Sequence, residues 1–228
     1  MEAVPDMLDR RVGEIVAEDY RRARALKKFG IDFCCGGGIT LKEACARKAA
    51  APSEVIAALD QSVLGPSEPL ARVASWSPTF LVDYIESVHH SFVRGAIPAI
   101  RAFTTKVAKV HGHQQPELAV IADRFEELAS AMEDHMLFEE GQLFPAVRAG
   151  NATDLVQDIR RAEDEHQHAG ALMEEIRQLS DNYTPPEWAC ATYRAAYVNL
   201  SQFEQDLHVH VHLENNVLFQ KVVPATSI

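Results

Sequence analysis

The chain holds 228 residues, 47% of them hydrophobic, and its 22 basic against 33 acidic side chains leave a formal charge of -11. That length suits one large domain or two small ones, and the acidic balance excludes a phosphate-backbone partner, so no nucleic acid is expected. No apolar run approaches the roughly 18 to 20 residues that cross a bilayer, and the opening "MEAVPDMLDRR" lacks a signal peptide's apolar stretch, which predicts a cytoplasmic protein without a membrane partner.

Residues 1–63 carry three short helical patterns and predict a small helical N-terminal domain. The first holds Val12, Ile15, Val16, Ala23 and Leu26. A second opens at Thr40 with Glu43 three residues later, the reciprocal capping arrangement, and a third holds Val55, Ile56, Leu59 and Val63. Between the first two lies "GIDFCCGGG", a glycine-rich turn expected to expose Cys34 and Cys35 as reduced thiols. Four cysteines, two of them adjacent, do not make a disulfide framework in a chain of this size. Cys45 and Cys190 read as small buried residues. The stretch 64–78, "LGPSEPLARVASWSP", interrupts the helical patterns and reads as a linker.

Residues 79–228 predict an all-α, up-down-up-down four-helix bundle. Val93, Ile97, Ile100, Thr104 and Val107 mark the seam of its first helix, and Ile121, Phe125, Leu128 and Met132 that of the second. Leu155, Ile159, Ala162, Ala169, Met173 and Ile176 mark the third, and Tyr193, Ala196, Leu200, Phe203, Leu207 and Val217 the fourth. Steps of three and four place each set on one inward stripe. The breaks at "HGHQQP", "RAGNAT" and "DNYTPP" are short enough for antiparallel neighbours.

His135, Glu139, His166, His210 and Glu214 fall on those stripes where the pattern otherwise supplies Leu, Ile, Phe or Met. Two ionised carboxylates buried without compensation would threaten a fold worth about 5–15 kcal/mol, so a positive charge must lie between them. His135 and Glu139 stack one helical turn apart, as do His210 and Glu214. "HMLFEEGQLF" and "HVHLENNVLF" repeat the same spacing. His166 precedes His210 by 44 residues, and the neighbours His89 and His90 precede His135 by 46 and 45. Two hairpins, each giving a lone His and a His-x-x-x-Glu, suit two borderline metal ions better than magnesium, calcium or a thiolate zinc site; iron fits best, with manganese and zinc as alternatives. A competing scheme takes Glu86 with His89 and Glu163 with His166 as the Glu-x-x-His units of a ferritin-like centre. It leaves His135 and His210 on the seam without a role. His89, His111, His113, His168, His208 and His212 fall off the stripe or at helix ends and read as surface or supporting residues, although His111 could line a channel.

"DFCCGGG", "VHH", "VHG", "HMLFEEGQLFP", "EDEHQHAG" and "DLHVHVHLENNVLF" together resemble the di-iron proteins for repair of iron centres, the RIC family, over about Asp6 to Val222. The resemblance implies a cysteine-bearing N-terminal domain joined to a hemerythrin-like bundle with a non-haem di-iron centre, two irons per chain. Its ligands would be His90, His135, Glu139, His166, His210 and Glu214, with Glu139 and Glu214 bridging, and the eight-residue spacing to Pro98 selects His90 over His89. It further implies repair of iron-sulfur clusters after nitric oxide or peroxide stress, with damaged iron-sulfur proteins as partners and nitric oxide or oxygen species as small ligands. Cys34 and Cys35 would be redox or iron-transfer thiols, and a homodimer is suggested. This sequence departs from the family pattern at His89, where an aromatic residue can stand, and at "LFQK". A diatomic sensor or carrier and a nitric oxide reductase are the alternative functions.

Overall fold

The computed structural model describes residues 7–64, 69–150 and 152–223, and among these every regular element is helical. They fall into two compact units, one of residues up to Leu81 together with those from Val209 onward, the other Val82–His208.

In the first unit, helices α1 (Val12–Glu18), α2 (Arg22–Lys28), α3 (Leu41–Arg47) and α4 (Pro52–Ser62) are all short. Helices of this length are not stable alone; packing holds them, and Val12, Ile15, Leu26, Leu41, Cys45, Val55 and Leu59 are all buried. Thr40 caps α3 as predicted: its hydroxyl accepts the Glu43 amide, and the Glu43 carboxylate accepts the Thr40 amide at 2.9 Å. Pro52 opens α4, where its missing N–H costs nothing. The Val12 and Gly13 amides donate to Ile39 and Gly37 carbonyls at 2.9 and 2.8 Å, which clamps the glycine-rich turn to the start of α1. Within the stretch read as a linker, Pro69–Ser75 forms a 3-10 turn that packs on α1, with Val73 buried; 65–68 lie outside the described residues. The chain end from Val209 joins this unit, where α1 also meets a π-helical segment, Glu214–Leu218, followed by α11 (Phe219–Val222).

The second unit is the helical bundle. Helix α5 (Pro78–Tyr84) runs through a π-helical segment, Ile85–His90, into α6 (Ser91–His111). Helix α7 (Glu117–Phe138) likewise continues through a π segment, Glu139–Leu143, into α8 (Phe144–Ala149). Gly150, in the left-handed conformation (φ 70°), ends α8 before α9 (Ala152–Leu179). Asp181, Asn182 and Tyr183 make a left-handed turn (φ 49°, 54° and 58°) ahead of α10 (Ala191–Leu213), whose first part belongs to this unit.

Cross-helix contacts fix the directions. Arg94 meets Glu140 while Arg101 meets Glu133 and Glu126, so α6 and α7 are antiparallel. Arg124 meets Glu175 and His135 meets Glu165, which does the same for α7 and α9. His89 with Asp206, Phe92 with Phe203 and His111 with Tyr193 set α10 antiparallel to α6. The bundle is therefore up-down-up-down, and its predicted seam residues, Val93 to Val107, Ile121 to Met132, Leu155 to Ile176 and Tyr193 to Leu207, are buried.

Candidate metal centre

Four seam residues of the bundle meet at one depth. His90 closes the π segment before α6, His135 and Glu139 stand at the end of α7 and the start of its π segment, and His166 lies on α9; all four are at most 1% exposed. One oxygen of Glu139, Oε2, lies 3.2 Å from His90 Nε2 and 3.3 Å from His135 Nε2. His166 Nε2 faces His135 Nε2 at 3.1 Å. A ligand atom from each of His135, Glu139 and His166 lies within 4.8 Å of the others.

The far sides of two imidazoles are held by carboxylates. His90 Nδ1–H donates to Glu140 Oε1 at 2.7 Å, and Arg94 grips both oxygens of Glu140 at 2.6 Å. His135 Nδ1–H donates to Glu165 Oε2 at 2.8 Å, with Arg161 on the other oxygen at 2.8 Å. A proton committed to Nδ1 leaves Nε2 with a lone pair facing inward, the tautomer a metal ligand needs. The hydrogen bond from His135 outweighs burial and, with Arg161, holds the Glu165 carboxyl down at about 2. For Glu140 burial works against ionisation, but Arg94 and His90 together keep its carboxyl below the usual range. His90 also stacks on Phe144 at 5.6 Å. A cavity of about 270 Å³, lined by Ala131, Met132, His135, Asp164, Glu165 and His168, borders the cluster.

The donors fit a borderline cation. With the protons of His90 and His135 held on Nδ1, the lone pairs of their two Nε2 atoms meet one Glu139 oxygen, and these repel unless a positive charge joins them. The remaining predicted ligands, His210 and Glu214, are fully buried in the other unit, with His210 Nε2 2.9 Å from Glu214 Oε1. Three of the six stand in or at the edge of π-helical segments, the kind of widened turn that recurs at functional sites.

Of the rival Glu-x-x-His residues, Glu86 and His89 are engaged elsewhere. Glu86 pairs with Arg148 at 2.7 Å, and His89 Nδ1–H donates to Asp206 at 2.9 Å. Burial pushes the Glu163 carboxyl up.

The thiols correct the expectation from sequence. Cys34 is buried, with its S–H donating to Asp32 Oδ1 at 3.1 Å, and only Cys35 is partly exposed. A hydrogen bond with Cys35, then burial and the nearby Asp32 charge, push the Cys34 thiol well up. The turn is fastened from the chain end: Asn216 Nδ2–H donates to the carbonyls of Phe33 (3.2 Å) and Cys34 (3.0 Å), and His212 Nδ1–H to that of Phe33 (3.3 Å). Burial lowers His212 to about 4, so it is neutral near pH 7, and its ring packs between Tyr20 and Phe33. A Cβ at Gly37 would fall 2.5 Å from Asn216 Oδ1 and 2.7 Å from the Phe33 carbonyl, which is why the turn is glycine there. Cys45 is buried as expected, whereas Cys190 is exposed.

Sequence reading missed Glu140, Glu165, Arg94 and Arg161. Their signal was adjacency: Glu140 follows Glu139 and Glu165 precedes His166. Of the histidines read as surface or supporting residues, His89 and His212 are buried.

Two family models match the chain. Residues 81–222 match the model "Hemerythrin HHE cation binding domain", and residues 8–62 match ScdA_N, "Domain of Unknown function (DUF542)". The chain is 34% identical over 217 residues to the iron-sulfur cluster repair protein ScdA of Staphylococcus haemolyticus, covering 92% of this chain and 96% of that one. It is 33% identical over 215 residues to the iron-sulfur cluster repair protein YtfE of Citrobacter koseri and 32% over 215 to that of Escherichia coli O1:K1, covering 94% of this chain and 97% of each relative.

Proposed function

The chain belongs to the iron-sulfur cluster repair family, and from that premise we propose that it restores iron-sulfur clusters damaged by nitrosative or oxidative stress, through a non-haem di-iron centre that donates iron, binds nitric oxide, or both. In this proposal His90, His135, Glu139, His166, His210 and Glu214 would hold the irons. The observation that carries this reading is the single Glu139 oxygen touching Nε2 of both His90 and His135, from two different helices, at 3.2 and 3.3 Å. A carboxylate so placed serves two cations as readily as one.

Bound there, iron supplies redox chemistry and exchangeable coordination positions. The protein's own part is orientation and access. Glu140 and Glu165 fix the tautomers of His90 and His135, and Arg94 and Arg161 keep those carboxylates charged. The cavity beside His135 admits a diatomic ligand without opening the bundle. The same cavity favours a second reading, carriage or sensing of a diatomic ligand without repair.

Residues 1–63 form the thiol-bearing domain in this proposal, 64–78 the linker and 79–228 the di-iron domain; the two matched spans, 8–62 and 81–222, support that division. Cys34 and Cys35 act as redox or iron-transfer thiols, with Cys35 the accessible partner. Among the described residues no helix is long and apolar enough to cross a membrane. In this proposal the chain acts in the cytoplasm, with damaged iron-sulfur proteins as its partners.

Metal analysis of protein from iron-supplied cells, followed by incubation of its ferrous form with an apo iron-sulfur protein, tests the proposal. About two irons per chain and transfer of iron to the client within minutes are expected. Retention of iron with reversible nitric oxide binding supports the carrier, and a centre that loads no iron overturns both.

A further inference from the structure

A second group of reactive side chains lies at the other end of the bundle, 21 residues along α6 from His90 (111 − 90), or about 30 Å at 1.5 Å per residue. Cys190 caps α10: its carbonyl accepts the Arg194 amide at 3.1 Å, and its side chain is exposed. Its Sγ lies 3.3 Å from Nε2 of His111, in the last turn of α6. The imidazole is held in place by Trp188 and Tyr193, whose rings lie 5.5 and 5.8 Å away, and Tyr193 is itself fixed by donating to Gln115 Oε1 at 2.8 Å. His111 also forms one wall of an open cavity of about 650 Å³, with Val110, His113, Gln114 and Trp188 as the others.

We propose that Cys190 and His111 form a thiol–disulfide exchange site that takes up a low-molecular-weight thiol as a mixed disulfide. An imidazole in hydrogen-bond reach of a sulfur is the arrangement that activates a thiol for attack. The Cys190 S–H gives its proton to His111 Nε2 as the sulfur attacks one sulfur of a small disulfide. A new S–S bond forms to Cys190 while the S–S bond of the reagent breaks, and the departing thiolate takes the proton back from His111. The lone pair of the Cys190 sulfur makes the new bond and the departing sulfur leaves with the pair of the bond that breaks, so the small disulfide is itself the oxidant and no other is required. The open cavity beside His111 favours a reagent larger than a peroxide. Its volume exceeds what a peroxide needs and accommodates a tripeptide-sized group, with the Trp188 ring as an apolar wall and the His113 and Gln114 side chains as hydrogen-bonding partners for carboxylates or amides. Cys34 and Cys35 take no part, and neither does the metal centre.

The test exposes the full-length protein to oxidised glutathione and follows each cysteine by peptide mass spectrometry. Cys190 is expected to form the mixed disulfide at least about tenfold faster in the folded chain than in the chain unfolded by urea, and His111→Gln to slow it by roughly tenfold or more at unchanged helicity. Excess reduced thiol should release the adduct. Equal rates in folded and unfolded wild-type protein overturn the proposal without reference to any variant, as does a folded His111→Gln protein that reacts at the wild-type rate.

Discussion

At the level of single residues the centre depends on charges that would be intolerable without a cation. Glu139→Leu removes the carboxylate that touches two imidazoles and should leave the purified protein with less than about half its metal, measured by elemental analysis. Glu86→Leu should leave metal content unchanged, because Glu86 is engaged with Arg148 at the surface; the reverse ranking would restore the ferritin-like scheme. Glu140 acts through His90. Glu140→Leu should therefore weaken metal binding by about 10- to 100-fold while the bundle still folds, as read by chelator competition and circular dichroism. Asp19 offers a separate test by pH. Hydrogen bonds from the Arg21 side chain, opposed by burial, hold its carboxyl below the usual value. A depressed folded value stabilises the protein above the unfolded value of about 3.9, and the contribution is lost as pH falls through the folded one. The wild type should thus exceed Arg21→Ala by up to about 1 kcal/mol at pH 6, with the gap closing toward pH 2 in denaturant titrations.

Among the elements, the four long helices were legible because each carries a 3.6-residue rhythm over many turns, and the seam from Val93 to Leu207 is buried where that rhythm places it. The same rhythm exposed the candidate ligands, since His135, Glu139, His166, His210 and Glu214 interrupt it with polar groups. What it could not show are the π segments. In Ile85–His90 the turn is wider than 3.6 residues, and the neighbours His89 and His90 are both buried there. Nor does any local pattern announce that Asn216 and His212 reach carbonyls some 180 residues earlier in the chain, which is why the cysteine turn was expected to expose both thiols. Asn216→Ala removes two of those hydrogen bonds. Cys34 should then react with a thiol reagent about tenfold faster than in the wild type, at about 1–3 kcal/mol lower stability; an unchanged rate would show that the turn holds itself.

For the molecule as a whole, burying the six predicted ligands makes folding and metal binding one equilibrium. Each tenfold excess of free metal over its dissociation constant adds about 1.4 kcal/mol, so removal by a chelator from a protein held at a 100-fold excess should lower the melting temperature by roughly 5 to 10 °C in calorimetry, and readdition should restore it. A melting point indifferent to chelation would mean that protein contacts alone satisfy these side chains. The widened turns carry a different consequence, for how this chain can change over generations. Each accommodates a residue beyond the regular helical repeat, so losing one amino acid from Glu139–Leu143 or Glu214–Leu218 would rewind that stretch as ordinary helix and leave the helices on either side close to their present register. The opening carboxylates, Glu139 and Glu214, are the letters least free to change there, whereas the turns behind them mark where a single codon can be lost with the flanking helices still in place.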